Sequence, residues 1–194
     1  IGEFIGIGLQ EESTSYLRPF EQWTKLDIIT ASFGQGISAT SLQVLSALST
    51  IANDGERMRP YVISEITDEK ETVKIEPSVL SNPISKETAE IVQKALQKAV
   101  QDNSLGGLAT ELKDYDIAAK TGTAEIAKAT ETGYEDYATN ATAIGFAPVE
   151  NPKFIMLVKL EEPQISTYAS LTAVPVWKNI FLDIADDLEI SKKN

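Results

Sequence analysis

DYDIAAKTGTAEI, Asp114 to Ile126, opens as a short apolar strand. It then sets Lys120, Thr121, Gly122 and Thr123 where regular packing would favour valine or isoleucine. Lysine at the end of a buried strand is costly, and glycine inside a strand weakens it. The four residues make physical sense on a sheet edge that faces a cleft. Gly122 lets an extended ligand come close to the backbone, and that ligand can pair as one more strand. Thr121 and Thr123 offer hydroxyls to a carboxylate. Lys120 supplies positive charge, and proton transfer if burial lowers its pKa. A backbone N–H here can point at a developing oxyanion, an interaction worth on the order of 10²–10³ in rate. A lone K-T-G is commonly a strand end followed by a turn. The apolar DIAA before it, the hydroxyl on each side of the glycine and the long gap to the next strand set this one apart.

Outward from that stretch the pattern is α/β (α+β): an antiparallel sheet flanked by helices, in one unit over residues 1–194. Three strands are predicted, Ile117–Ala124, Ala141–Phe146 and Lys153–Leu160, with the short APVENP link favouring antiparallel order. A closing helix over Thr172–Leu188 carries the apolar stripe Trp177, Ile180, Phe181, Ile184 and Leu188, with Pro175 in its first turn. Upstream, Ser85 caps a one-faced helix that runs to Gln101. Thr40 and Gln43 form a capping box for a helix that is apolar on most sides, through Leu42, Val44, Leu45, Ala47, Leu48 and Ile51, and so buried. Gly55 ends it. Tyr61–Thr67 and Thr72–Ile75 read as a hairpin around the charged turn Asp68–Glu71. FIGIGLQEEST reads as strand or loop, LRPFEQWTKLDI as an exposed connection, and Ala31–Thr40 as a turn-rich lead into the capped helix. DNSLGGLATELKDYD reads as a loop with a short helical turn.

Composition narrows the chemistry. The 194 residues carry 29 acidic and 17 basic side chains, a net charge of −12, which argues against nucleic acid. There is no cysteine and no histidine. Thiolate nucleophiles, Cys/His zinc sites and a Ser-His-Asp triad are therefore excluded, and acid–base chemistry falls to lysine, tyrosine or carboxylates. No metal site and no cofactor is expected. The glycine clusters GQGISA and GIGLQE lack the pattern of a dinucleotide loop. The acidic stretch Glu131–Asp136 reads as a solvated loop, and the sequon at Asn140 as chance. No run of about 18 apolar residues spans a membrane. The chain starts at Ile1 without Met and reads as a fragment or a processed piece.

KTGTAE resembles the third signature of the penicillin-recognising serine enzymes. Four further stretches resemble class B penicillin-binding proteins in order: SFGQGISATSLQVLSALSTIANDG (Ser32–Gly55), ISKETAEIVQKALQKAV (Ile84–Val100), ATAIGFAPVENPKFIMLVKLEEP (Ala141–Pro163) and AVPVWKNI (Ala173–Ile180). The resemblance implies a peptidoglycan DD-transpeptidase that works through an acyl-serine intermediate on a D-Ala-D-Ala stem peptide and binds β-lactams. It implies that Lys120 lines the site and aids proton transfer, that Thr121 and Thr123 bind the terminal carboxylate beside Gly122, and that the Thr123 N–H forms half of an oxyanion hole. It further implies a membrane-anchored bacterial enzyme of cell-wall synthesis, serving cell shape or division, at the extracytoplasmic face of the membrane.

Two departures qualify the resemblance. No serine has lysine three residues on or asparagine two residues on, so the S-x-x-K nucleophile and the S-x-N motif are absent. The reading is a C-terminal portion that begins after the second motif, inactive alone, prone to self-association and partnered by the N-terminal remainder of its domain. The alternatives are a DD-carboxypeptidase, a β-lactamase relative, or a non-catalytic receptor or scaffold domain. Second, Glu125 stands where many relatives carry glutamine, which would modestly disfavour anions at the substrate site.

Overall fold

The computed structural model describes residues 2–102, 105–128, 130 and 133–193. Three antiparallel strands form its main sheet, in the order β5 (Ala118–Ala127), β6 (Tyr134–Ala147), β7 (Phe154–Glu161). Lys120 pairs with Ile144 and Thr123 with Ala141; β6 then pairs with β7 from Asn140↔Glu161 to Ala147↔Phe154. Side chains alternate across a strand, and the two faces are covered by different helices. Ala118, Ile144 and Phe146 pack with Leu48 of α2 (Ser41–Ala52) and Leu96 of α3 (Lys86–Gln101). Ala119, Ala141 and Ala143 pack on the opposite face with Val174, Trp177 and Phe181 of α4 (Ala173–Ile184).

The α4 face is held by large aromatic rings. Trp177 and Phe181 stack with centroids 5.5 Å apart, and Tyr115 meets Phe181 edge-on at 4.9 Å. Trp177 donates its Nε1–H to the Met156 carbonyl at 3.0 Å, so its one polar atom is satisfied in the core. Gly145 makes room for the indole: a Cβ there would lie 2.8 Å from the Ala118 carbonyl and 3.0 Å from Trp177 Cζ2.

Local capping explains the helices. Thr40 Oγ1 accepts from the Gln43 amide and the Gln43 side chain accepts from the Thr40 amide, while Ser85 caps α3. The predicted α2 and α3 begin where these caps place them. Asp116 fixes the root of β5. Its Oδ1 accepts from Gln97 Nε2 at 2.6 Å and its Oδ2 from the Val149 amide at 3.0 Å.

Several expectations are corrected. LRPFEQWTKLDI is not a plain connection. It holds a 3-10 turn at Phe20–Gln22 and starts α1 (Lys25–Ser32), which takes the first two residues of the turn-rich lead. Thr24 and Asp27 form a reciprocal cap, and the Thr24 hydroxyl and amide, donating to Asp27, hold that carboxyl below its ordinary value. Leu26, Ile28, Ile29 and Phe33 remain exposed. In α2, Val44 and Ala47 are exposed while Gln43, Ser46 and Thr50 are buried. The helix is therefore not apolar on most sides: Gln43 Nε2 donates to the Glu3 carbonyl of the N-terminal segment at 2.8 Å, and the Thr50 hydroxyl donates to the Ser46 carbonyl within the helix at 3.0 Å.

FIGIGLQEEST is irregular, wrapped so that the amides of Ile5, Gly6 and Ile7 donate to the Glu12 carboxylate. The hairpin exists but is short, β2 (Glu65–Thr67) with β3 (Thr72–Lys74). An unanticipated ribbon pairs β1 (Arg57–Met58) with β4 (Val79–Ser81). The helical turn foreseen in the loop after α3 is a 3-10 helix, Gly107–Asp114. Of the stretch read as an acidic loop, Tyr134–Asp136 belongs to β6, with Tyr134 opposite Ala127; Glu131 lies outside the described residues. The closing helix ends at Ile184, and Ile180 is exposed. Among the described residues, no helix is long and apolar enough to cross a membrane.

Candidate functional site

β5 is an edge strand: among the described residues it pairs with β6 only. One row of its backbone groups therefore faces away from the sheet, on the side where a further strand can pair. Lys120 and Thr123 are both exposed, and Thr121 and Gly122 are half-buried. Pleating sends Lys120 and Gly122 to the α2/α3 face, and Thr121, Thr123 and Glu125 to the α4 face. A ligand lying along this edge would meet both rows. Lys120 is exposed rather than buried in this chain, and its Nζ donates to the Thr121 carbonyl at 2.7 Å.

Gly122 is required for a reason the sequence did not show. The Thr142 hydroxyl, across the ladder, donates to the Gly122 carbonyl at 3.2 Å, and a Cβ on Gly122 would lie 2.5 Å from that hydroxyl oxygen. Bareness at Gly122 therefore serves the pairing of β5 with β6 as well as access to the edge. The Thr123 hydroxyl accepts from the Ala169 amide at 3.1 Å, from the 3-10 helix Ala169–Leu171 that follows β7. Neither partner was legible beforehand, since they lie 20 and 46 residues away in sequence.

Glu125 is exposed and borders an open groove of about 700 Å³ between the Gly34–Ser41 segment and the sheet, lined also by Asn140, Thr142 and Lys159. Lys120 to Thr123 lie farther along the same strand, outside the groove lining. Asn140 sits within β6 with its Oδ1 buried, which disfavours it as a glycan acceptor. No group of three acidic residues placed to hold a metal occurs among the described residues.

The fold of this chain, an antiparallel sheet with helices on both faces, is similar to solved penicillin-binding protein structures. Penicillin-binding protein 3 from Mycobacterium tuberculosis, in its structure complexed with ampicillin, is similar to this chain at 27% identity with a TM-score of 0.85; the match covers 100% of this chain and 44% of that one. The ligand-free structure of that protein gives the same TM-score at 26% identity, over 100% and 45%. The chain belongs to the penicillin-binding protein transpeptidase domain family, whose model matches residues 1–182. Among curated relatives, Stage V sporulation protein D of Bacillus subtilis is 31% identical over 196 residues, 99% of this chain and 30% of the relative. A probable peptidoglycan D,D-transpeptidase, PenA of Neisseria flavescens, is 30% identical over 98% of this chain and 45% of its own length. The chain thus spans between about a third and a half of the length of these relatives.

Proposed function

We propose that residues 1–194 are the C-terminal portion of the transpeptidase domain of a peptidoglycan D,D-transpeptidase and supply its substrate-binding strand. The observation that carries this reading is the exposed edge strand bearing Lys120, Thr121, Gly122 and Thr123 within a chain of this family. The relatives named as D,D-transpeptidases favour it over a carboxypeptidase, a β-lactamase or a non-catalytic receptor.

In the reaction, a serine oxygen outside this chain attacks the D-Ala-D-Ala carbonyl of a stem peptide. The amide C–N bond breaks, and D-Ala leaves with a proton. An amine of a second stem then attacks the acyl ester, and the serine alcohol is regenerated. In this reading Lys120 attracts the terminal carboxylate and aids proton transfer near the serine. Thr121 and Thr123 donate hydroxyl hydrogen bonds to that carboxylate. The Thr123 N–H is half of the oxyanion hole, and Gly122 keeps the backbone approachable. β-Lactams enter the same edge and leave a stable acyl-enzyme. The intact protein works at the extracytoplasmic face of a bacterial membrane, with the N-terminal remainder of the domain as this chain's first partner.

The test is mass spectrometry after exposure to penicillin. The purified chain alone should gain no covalent adduct, whereas the intact protein should gain one, on a serine upstream of this chain. An adduct of one β-lactam on the isolated chain would refute the assignment.

Glu125 tunes the site in the same reading. Two anions about 7 Å apart, the spacing of residues i and i+2 along a strand, repel by about 0.6 kcal/mol across water. In the intact enzyme, Glu125→Gln is therefore expected to speed acylation by a carboxylate-bearing β-lactam about threefold. Unchanged acylation kinetics would dispose of that role.

A further inference from the structure

We propose that the main-chain amide of Ala169 is a positioning group for Thr123: it fixes the threonine hydroxyl as a hydrogen-bond donor toward the ligand's terminal carboxylate. The inference rests on the role given to Thr123 above.

A threonine hydroxyl has one proton and two lone pairs and rotates freely unless a partner holds it. A carboxylate only accepts, so a rotor that turns its lone pairs toward the ligand repels the group it should bind. The Ala169 N–H, 3.1 Å from Thr123 Oγ1, occupies a lone pair. The hydroxyl proton must then point elsewhere, and Thr123 is an exposed residue. Accepting one bond also strengthens the hydroxyl as a donor in the next. Ala169 is 1% exposed, so no bulk water competes for its amide.

The amide is itself held on two sides. Thr139, buried on β6, donates its hydroxyl to the Thr167 carbonyl at 2.8 Å and accepts from the Glu162 amide at 2.9 Å through its own carbonyl. Thr172, just before α4, donates its hydroxyl to the Tyr168 carbonyl at 2.8 Å. The segment after β7 is thereby strapped to the sheet, with one amide aimed at the strand that carries Lys120. The geometry gives this otherwise featureless connection a task in ligand selection.

The experiment uses the intact enzyme and two probes, a penicillin and its methyl ester, which differ in the carboxylate. Replacing the Ala169 amide by an ester, with lactic acid incorporated in place of alanine, deletes the N–H and keeps the side chain. This variant should acylate with penicillin about tenfold more slowly and with the methyl ester within about twofold of the parent. Equal losses with both probes would mean a merely structural bond, and no loss with either would mean an idle one; each overturns the inference. Thr123→Val separates the underlying reading. If Thr123→Val keeps the preference for the carboxylate, the role of Thr123 itself fails. If Thr123→Val abolishes it while the ester variant retains it, the positioning inference alone fails. In a Thr123→Val background the ester should add no further loss, because coupled groups are non-additive.

Discussion

With Lys120 replaced by methionine, the intact enzyme is expected to acylate with penicillin about 10²- to 10⁴-fold more slowly, the usual range for removing a proton-transfer group. Methionine keeps the length and apolar stem of the side chain, so the change isolates the ammonium. No histidine or cysteine in the chain can take over its role. The exposed position of Lys120 on β5 means that truncation leaves no buried hole, and the unfolding midpoint should move little. Lys120→Arg divides the two duties. It keeps the positive charge but cannot give up a proton near neutral pH, so ligand capture should recover while the chemical step stays slow. Stopped-flow acylation over a range of β-lactam concentrations reads both quantities. A Lys120→Met enzyme that acylates within about threefold of the parent would remove the lysine from the mechanism.

Trp177→Ala should be the most damaging change to stability, at about 3–5 kcal/mol in urea unfolding of the intact domain. Trp177 is 2% exposed, stacks on Phe181 and faces the bare Cα of Gly145. Its removal also leaves the Met156 carbonyl without its indole donor. Trp177→Phe refills part of the volume but not the hydrogen bond, and should cost about half as much. The loss should spread to the site, since α4 braces the face of the sheet that carries Thr121 and Thr123. A Trp177→Ala domain as stable as the parent would show that α4 is not part of the cooperative core.

What could be read from the chain in advance follows the range of the interactions. Thr40 with Gln43 and Ser85 with Thr88 are contacts three residues apart, so the starts of α2 and α3 were legible. The three strands and their order followed from apolar runs and one short link. α1 was missed although Thr24 and Asp27 cap it, because its exposed Leu26, Ile28 and Ile29 show no one-sided pattern. The β1–β4 ribbon joins two-residue and three-residue strands more than twenty residues apart, and no local period announces such a pairing. The same distinction holds at the site. The types of Lys120, Thr121, Gly122 and Thr123 pointed to an anion-facing edge. Their partners Thr142 and Ala169 come from other elements, and only the folded sheet brings them near.

The two hydrogen bonds that the Asp116 carboxylate accepts have a consequence for sidedness. A slip of one residue along the ladder turns every side chain of a strand to the opposite face, and would trade Lys120 with Thr121. The Asp116 carboxylate can satisfy Gln97 and the Val149 amide together only when β5 sits in its native alignment. An acid four residues upstream, with no part in the chemistry, therefore acts as an index mark that sets which way the cation looks.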